Sequence, residues 1–327
     1  MRVEVIDIKE NFQQMLKDFS AKLYPQHPFP NLQCNETIAE KFDKGFVLFL
    51  DDEPAAMACV IYNSGLLFED KKTACIAFYE CTENQELSFI LLQAISDYCK
   101  LQGFEHIIGP LNSSTWNSYR FATETITDSF LSESFHKGYY TNQFKQFGFK
   151  TIAEYITRID TKLVLPKAST VLNENISFRN LEIENFEMEM RKVFSFCKEI
   201  FRNNFLYTPI SEEAFLKKYN AIKSIINPEF VLIAEHEGEI VGLILALHDL
   251  YCHNEKRLII KTLARKSGVK YVGLAQELTS RLLNIASKYD YKSILHAFMH
   301  ERNASTNVSK KFSGQPFRTY KLFQKEL

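Results

Sequence analysis

Residues 265–278 read RKSGVKYVGLAQEL, and their types suit a phosphate. Arg265, Lys266 and Lys270 bring positive charge, and no acid appears before Glu277. Gly268 and Gly273 allow tight turns and close approach of the main chain to a ligand. The apolar run RLIIKTLA before the segment has the character of a strand. The pattern LTSRLLNIASKY after it has helical spacing. A helix that opens on such a loop presents unpaired N–H groups and the positive end of its dipole, which together bind anions. The simpler alternative is a solvated basic turn whose glycines serve geometry alone.

A second unusual stretch is GPLNSSTWNSYRF (109–121), which holds the only Trp. Asn112, Ser114 and Trp116 combine hydrogen-bonding groups with an aromatic ring, as a substrate pocket does. The same residues also suit a Gly-Pro turn whose Trp anchors a long loop on the core. No G-x-S-x-G elbow is present for a serine nucleophile. The His and Cys positions do not cluster as metal ligands, so no metal is expected.

The elements that must position these residues occur twice. FVLFLDDEPAAMACVIY (46–62) aligns with FVLIAEHEGEIVGLILA (230–246), each a strand, a short acidic turn and a second strand. In the first half KTACIAFYEC, ELSFILLQAISDYCKLQG, FEHIIGPL, QFKQFGF and YITRI then read strand, helix, strand, short helix, strand. In the second half RLIIKTLA, GLAQELTSRLLNIASKY, KSILHAFMH, NASTNVSKKF and RTYKLF fill the same roles. Helical material opens each half: NFQQMLKDFSAKLY in one, NFEMEMRKVFSFCKEIF and SEEAFLKKYNAIK in the other. The expected division is residues 1–162, a linker at 163–175, and residues 176–327. The fold class is mixed α/β, an α+β arrangement around a mixed sheet, without the regular βαβ alternation of a dinucleotide fold.

A chain of 327 residues that is 46% hydrophobic can build two cores. The net charge of -1 argues against a nucleic-acid binder that works by bulk electrostatics. Charge is uneven, however. Residues 1–165 carry 22 acids against 15 bases, and residues 166–327 carry 18 against 24, so an anionic cofactor would be drawn to the second half. The seven cysteines show no CxxC spacing and several sit in apolar runs, which suggests reduced thiols in a cytoplasmic protein. No signal peptide or membrane span is expected.

This order of elements, with the basic loop at its centre, resembles the GNAT superfamily of acyl-CoA-dependent N-acyltransferases. The whole chain resembles uncharacterised bacterial tandem proteins of that superfamily. The family's diphosphate loop, Q/R-x-x-G-x-G/A, corresponds to Lys270, Tyr271, Val272, Gly273, Leu274 and Ala275. Lys replaces the usual Gln or Arg, and Ala fills the last small position. The resemblance implies acetyl-CoA or a longer acyl-CoA as cosubstrate. It also implies pairing of Leu263, Ala264 and Arg265 with the pantetheine arm, while Asn303 suits a helix N-cap first and contact with the cofactor second. The matching place in the first half, ECTENQELSFILL, lacks glycine and basic residues and carries Glu80, Glu83 and Glu86. That half is therefore expected to have lost acyl-CoA binding.

The resemblance further implies direct attack of an amine on the thioester. The amine would be a small molecule or lipid-like. Asp249 and His248 in LALHDL are the nearest candidates for the base. His300 and Glu301 are further options. The tyrosine acid usual in the last helix is replaced by Lys310 in one half and by Phe144 in the other. Tyr320 is the remaining candidate acid. The missing tyrosine keeps an alternative open: a non-catalytic GNAT-fold sensor or scaffold that binds CoA or another ligand.

Overall fold

The computed structural model describes residues 2–6, 9–25, 44–124, 128–164, 175–302, 309, 310, 312 and 314–327. The first half runs β1 (Arg2–Ile6), α1 (Lys9–Leu23), β2 (Lys44–Leu50), β3 (Glu53–Phe68), β4 (Lys71–Cys81), α2 (Gln85–Leu101), β5 (His106–Gly109), the short β6 (Phe121–Ala122), α3 (Tyr140–Gln146) and β7 (Lys150–Asp160). The second runs β8 (Ser177–Asn180), α4 (Phe186–Phe201), α5 (Glu212–Asn220), β9 (Val231–His236), β10 (Glu239–His248), β11 (Arg257–Arg265), α6 (Leu274–Lys288), β12 (Ser293–His300) and β13 (Gln315–Glu326). β1, β6 and β8 were not expected from the sequence. The helix expected over NASTNVSKKF lies mostly outside the described residues, with only Ser309 and Lys310 of it seen as helical.

The aligned hairpins are both present. Two-residue turns join their strands, with positive φ at Asp51 and Asp52 in one and at Glu237 and Gly238 in the other. Turns of that hand match the twist of the flanking strands. Their strands are apolar on both faces because helices cover both. Phe46 and Leu48 face α2, while Val47 and Phe49 face α1. Leu232 and Ala234 face α6, while Val231 and Ile233 face α4 and α5. In α6 the stripe Leu274, Leu278, Leu282 and Ala286 recurs every four residues and is buried throughout. We call the side of α1, α4 and α5 the front and that of α2 and α6 the back.

All strands join one sheet in the order β1-β2-β3-β4-β5-β13-β7-β12-β11-β10-β9-β8, with β6 on β13. The last strand of each half has crossed over. β13 lies between β5 and β7, and β7 pairs with β12 from His300↔Tyr155 to Ile294↔Asp160. The halves expected at 1–162 and 176–327 thus each complete the other's sheet. No helix of the described residues is long and apolar enough to cross a membrane.

Candidate functional site

The parallel pairing of β11 with β12 begins at Arg257↔Ser293 and ends at Ile260↔His296. Both strands continue. β11 runs on through residues 261–265, held only by β10 on its other side. β12 runs on through residues 297–300, held by β7. The strands therefore splay, and a wedge opens whose β11 edge has main-chain groups with no strand opposite. A bulge sits at its vertex. Against β10, Leu245 pairs with Thr262 and Ala246 with Ile260, which leaves Lys261 as the extra residue. Such a bulge bends a strand away from its neighbour.

The loop that follows carries the sequence motif. Lys266 N donates to Val241 O, and Gly268 takes φ 114°. A short turn at Val269–Tyr271 leads to Gly273, which takes φ 89° as the N-cap of α6. No side chain caps this helix. Tyr271 is buried, its ring edge-on to His236 at 6.0 Å. Leu274 packs onto Gly242, where an added Cβ would lie 2.9 Å from Leu274 Cδ2. Two glycines thus set this helix start, one by its left-handed φ and one by the room it leaves. The loop bases are partly engaged. Arg265 Nη1 donates to Lys266 O, Lys266 Nζ is 3.8 Å from Glu199, and Lys270 Nζ lies 5.1 Å from the Tyr271 ring centre.

The first half has the same framework, but filled. β4 and β5 stay paired only to Cys75↔Ile108, and β4 bulges against β3 between Ala77 and Glu80, with Phe78 at φ 51°. Here Leu111 N donates to Ile76 O, and Phe78 N donates to Asn112 Oδ1 at 3.2 Å. Asn84 caps α2, accepting from Glu86 N and Leu87 N. Glu80 does not point at solvent. It is buried and accepts from Tyr24 Oη and Tyr140 Oη, each at 2.6 Å. Burial raises its pKa to about 7, against the lowering effect of those two hydroxyls and of Lys137.

Of the residues singled out for a substrate pocket, Asn112 and Ser114 hold their own loop, and Trp116 ties that loop to the second half. Asn112 is buried and accepts from Phe78 N, and its own O accepts from Asn117 Nδ2 at 2.9 Å. Ser114 is buried too, and its O accepts from Asn117 N. Trp116 packs edge-on against Phe201, Tyr207 and Phe215 of the second half, and its Nε1 donates to Thr208 O at 3.0 Å.

Asp249 and His248 lie away from the open part of the wedge, while Tyr320 meets Phe298 of the splayed stretch edge-on at 5.3 Å. Asp249 is fully buried, and its carboxylate accepts from Arg257 at 2.7 Å and from Leu131 N at 2.9 Å. It stands beside Arg257, at the paired end of β11, and ties that end to the first half. His248 pairs with Leu258 on the same side of the vertex, and its Nδ1 meets Tyr291 Oη at 3.2 Å. Tyr320 is buried in β13, donates to Glu133 Oε1 and accepts from Thr157 Oγ1. Burial, then Glu133, pushes its pKa well above the usual phenol value. These positions reflect the strand exchange and the tertiary pairing, which no local motif encodes. Phe144 is buried core, and Asn303 lies outside the described residues.

Of the further options, His300 does sit on the splayed part of β12, on the front. Its ring is 5.0 Å from that of Tyr155 and 6.0 Å from that of Phe205. Burial lowers its pKa, with Glu301 opposing and Arg302 adding to the effect. Arg302 N donates to Nδ1 at 3.2 Å, so the neutral ring carries its proton on Nε2. Glu301 is exposed, and its N donates to Glu154 O. Among the described residues no group of His, Cys, Asp and Glu is placed to hold a metal.

No protein-family model matches the sequence, and no curated protein matches it. Solved structures do match the fold over nearly its whole length. A tandem GNAT protein from the clavulanic acid biosynthesis pathway superposes with a TM-score of 0.59 at 9% identity, covering 99% of this chain and 98% of that one. A GCN5-related N-acetyltransferase from Sphaerobacter thermophilus gives 0.54 at 12%, covering 99% and 95%. A conserved protein of unknown function from Enterococcus faecalis, a probable N-acyltransferase, gives 0.60 at 8%, covering 100% and 73%. The chain has the GNAT fold in its tandem form, as the order of its elements led us to expect.

Proposed function

We propose that this chain is an acyl-CoA-dependent N-acyltransferase whose second half, residues 176–327, binds the acyl-CoA. One observation carries the proposal. A splayed strand pair with a bulge at its vertex leads into a helix whose N-terminus has glycine and no side-chain cap. Amides at the start of α6, around Tyr271 to Ala275, would take the diphosphate. Arg265, Lys266 and Lys270 would add charge around it. The open edge of β11, at Leu263, Ala264 and Arg265, would pair with the pantetheine amides as a neighbouring strand would. A main-chain N–H near Leu263 would stabilise the oxyanion formed on attack.

The amine would approach from the front, where the first half closes the cleft. A C–N bond forms and the C–S bond breaks. One proton leaves the amine, and one ends on the CoA thiol. His300, neutral and with Nε2–H free to donate, would orient the reacting groups from the splayed part of β12, and water would carry the protons. Cys81, Cys197 and Cys252 are free thiols, which suits a reducing compartment such as the cytoplasm.

The test is stabilisation by CoA, acetyl-CoA and palmitoyl-CoA in a thermal-shift series, followed by thiol release over an amine panel. A ligand at 100 times its dissociation constant adds about 2.7 kcal/mol, so binding will be visible. No shift with any CoA species would sink the proposal. The engagement of Tyr320 by Glu133 and Thr157 favours a second reading, a CoA-binding sensor without catalysis. A shift with no thiol release toward any amine would select it.

A further inference from the structure

One buried cation on the front face has no anion among the described residues. Arg120 is 8% exposed and takes φ 70° at the end of the loop that Trp116 anchors. Its guanidinium carbon lies 3.9 Å from the ring centre of Phe298, 4.1 Å from that of Tyr119, 5.0 Å from that of Tyr155 and 5.8 Å from that of Tyr320. Its Nε is buried and meets no acceptor. The other buried arginines each have an acid: Arg257 has Asp249, and Arg318 has Glu133. No carboxylate of the described residues forms an ion pair with Arg120. Glu133, which binds the Tyr320 beside Arg120, is taken by Arg318 and Tyr320. His136, beside it, is kept neutral by burial, which lowers its pKa to about 3.

Four rings offset part of the cost of burying this charge. Removing a cation from water costs several kcal/mol, and protein sites normally meet that with a paired anion. An arrangement that keeps the cation and omits the anion is that of a site whose anion arrives with a ligand. Its position fits. Phe298, in van der Waals contact with the guanidinium, belongs to the splayed stretch of β12, so Arg120 is one side chain from the wedge. It lies on the front, opposite the α6 terminus on the back.

We infer that Arg120 receives a carboxylate of the acceptor, and that the acceptor is therefore an aminocarboxylate. The inference rests on the acyl-transfer reading for the word acceptor, but not for the anion site itself. The two terminal nitrogens, unlike the buried Nε, present a planar fork that matches a carboxylate. The surrounding rings supply flat apolar walls, and no second base of the described residues lies against the guanidinium to complete a phosphate cradle.

Benzoate binding to the full chain tests this, with benzamide and phenylphosphonate as matched probes, in the wild type, Arg120→Met and Arg120→Lys. Benzoate is expected to bind at least tenfold more tightly than benzamide, and both variants to lose that preference. Arg120→Met should also melt at or above the wild-type temperature, because it removes an unpaired buried charge. A structural cation would instead leave the variant less stable. Equal binding of benzoate and benzamide, or an undiminished preference in both variants, overturns the inference. Phenylphosphonate binding more tightly than benzoate overturns the carboxylate assignment. CoA shifts measured on the same proteins separate the two claims. Loss of every CoA shift with benzoate binding intact removes the transferase and leaves the anion site. Intact CoA shifts without a carboxylate preference do the reverse.

Discussion

The wedges of the two halves begin alike and end differently. Each has a parallel strand pair that separates after a few residues, a bulge beyond the last pair, and a helix starting from the bulged strand. In the first half Asn112 satisfies Phe78 N, Asn84 caps α2, and Glu80 is buried against two tyrosines. In the second half β11 keeps an edge with no strand opposite, and α6 starts from Gly273 with no cap. The same scaffold is thus internally satisfied on one side and left to be satisfied from outside on the other. Under the proposed reading, this difference supports the second half as the ligand's side more directly than charge does.

The largest expected effect concerns what holds the open half in place. Asp249→Ala removes the acid from buried Arg257 and from Leu131 N, and breaking such a pair costs roughly 3–5 kcal/mol. Chemical denaturation should show that loss. If Asp249 were instead a catalytic base, activity would fall with the denaturation midpoint unchanged, and our placement of it would fail.

Next comes Gly273→Glu. A side chain at φ 89° costs about 1 kcal/mol, and a carboxylate at the helix start repels a diphosphate. CoA affinity should fall more than 100-fold, while the melting temperature drops only a few degrees. The paired control is Asn84→Glu in the first half, which should leave CoA affinity untouched. Equal losses from the two variants would erase the contrast between the halves.

Much of this was legible before the fold was known. The aligned hairpins, the stripe in α6 and the two glycines are local signals, and the structure repeats them in place. The sequence reading of the first half as unfit for phosphate took Glu80 for a repelling charge, and the structure gives Glu80 another part. Glu80 is not a surface charge that repels. It is a buried acceptor whose partners, Tyr24 and Tyr140, lie 56 and 60 residues away. Trp116 was ambiguous because an anchor and a pocket wall use the same ring. Asp249 looked available because nothing nearby in sequence reveals Leu131 as its partner, 118 residues away. The exchange of β7 and β13 left no trace, since either strand has the same pattern whichever half it completes. Arg120 lay inside the segment already singled out. Only its lack of an ion pair with any acid of the described residues, a tertiary fact, sets it apart.

Glu80 offers a smaller test of the filled wedge. Its pKa stands at about 7 in the folded chain, against an ordinary value of 4.5, because burial disfavours the charged form. The folded state therefore holds this proton more tightly. The resulting stabilisation is complete below about pH 4.5 and disappears as the pH rises through 7. The unfolding free energy should fall by about 2–3 kcal/mol over that window. Glu80→Gln, which keeps an acceptor for the tyrosines without the charge, should flatten the slope. An unchanged slope in that variant would place the titration elsewhere.

The smallest expected effect isolates the cap. Asn84→Ala deprives Glu86 N and Leu87 N of their acceptor, and loss of such a cap costs about 1 kcal/mol. The variant should be slightly less stable, with CoA affinity unchanged, because its first half stays blind to CoA. Phe78 N remains occupied by Asn112, and the Glu80 cluster still fills the space behind the helix. Should Asn84→Ala alone confer CoA binding on a chain already carrying Gly273→Glu, the cap would be the whole difference between the halves. If the double substitution Asn84→Ala and Asn112→Ala is needed instead, closure of the splayed strands matters as much as the helix terminus. The physical expectation favours the second outcome, because a diphosphate at the helix and a pantetheine arm along the strand need separate donors, and freeing one set leaves the other occupied.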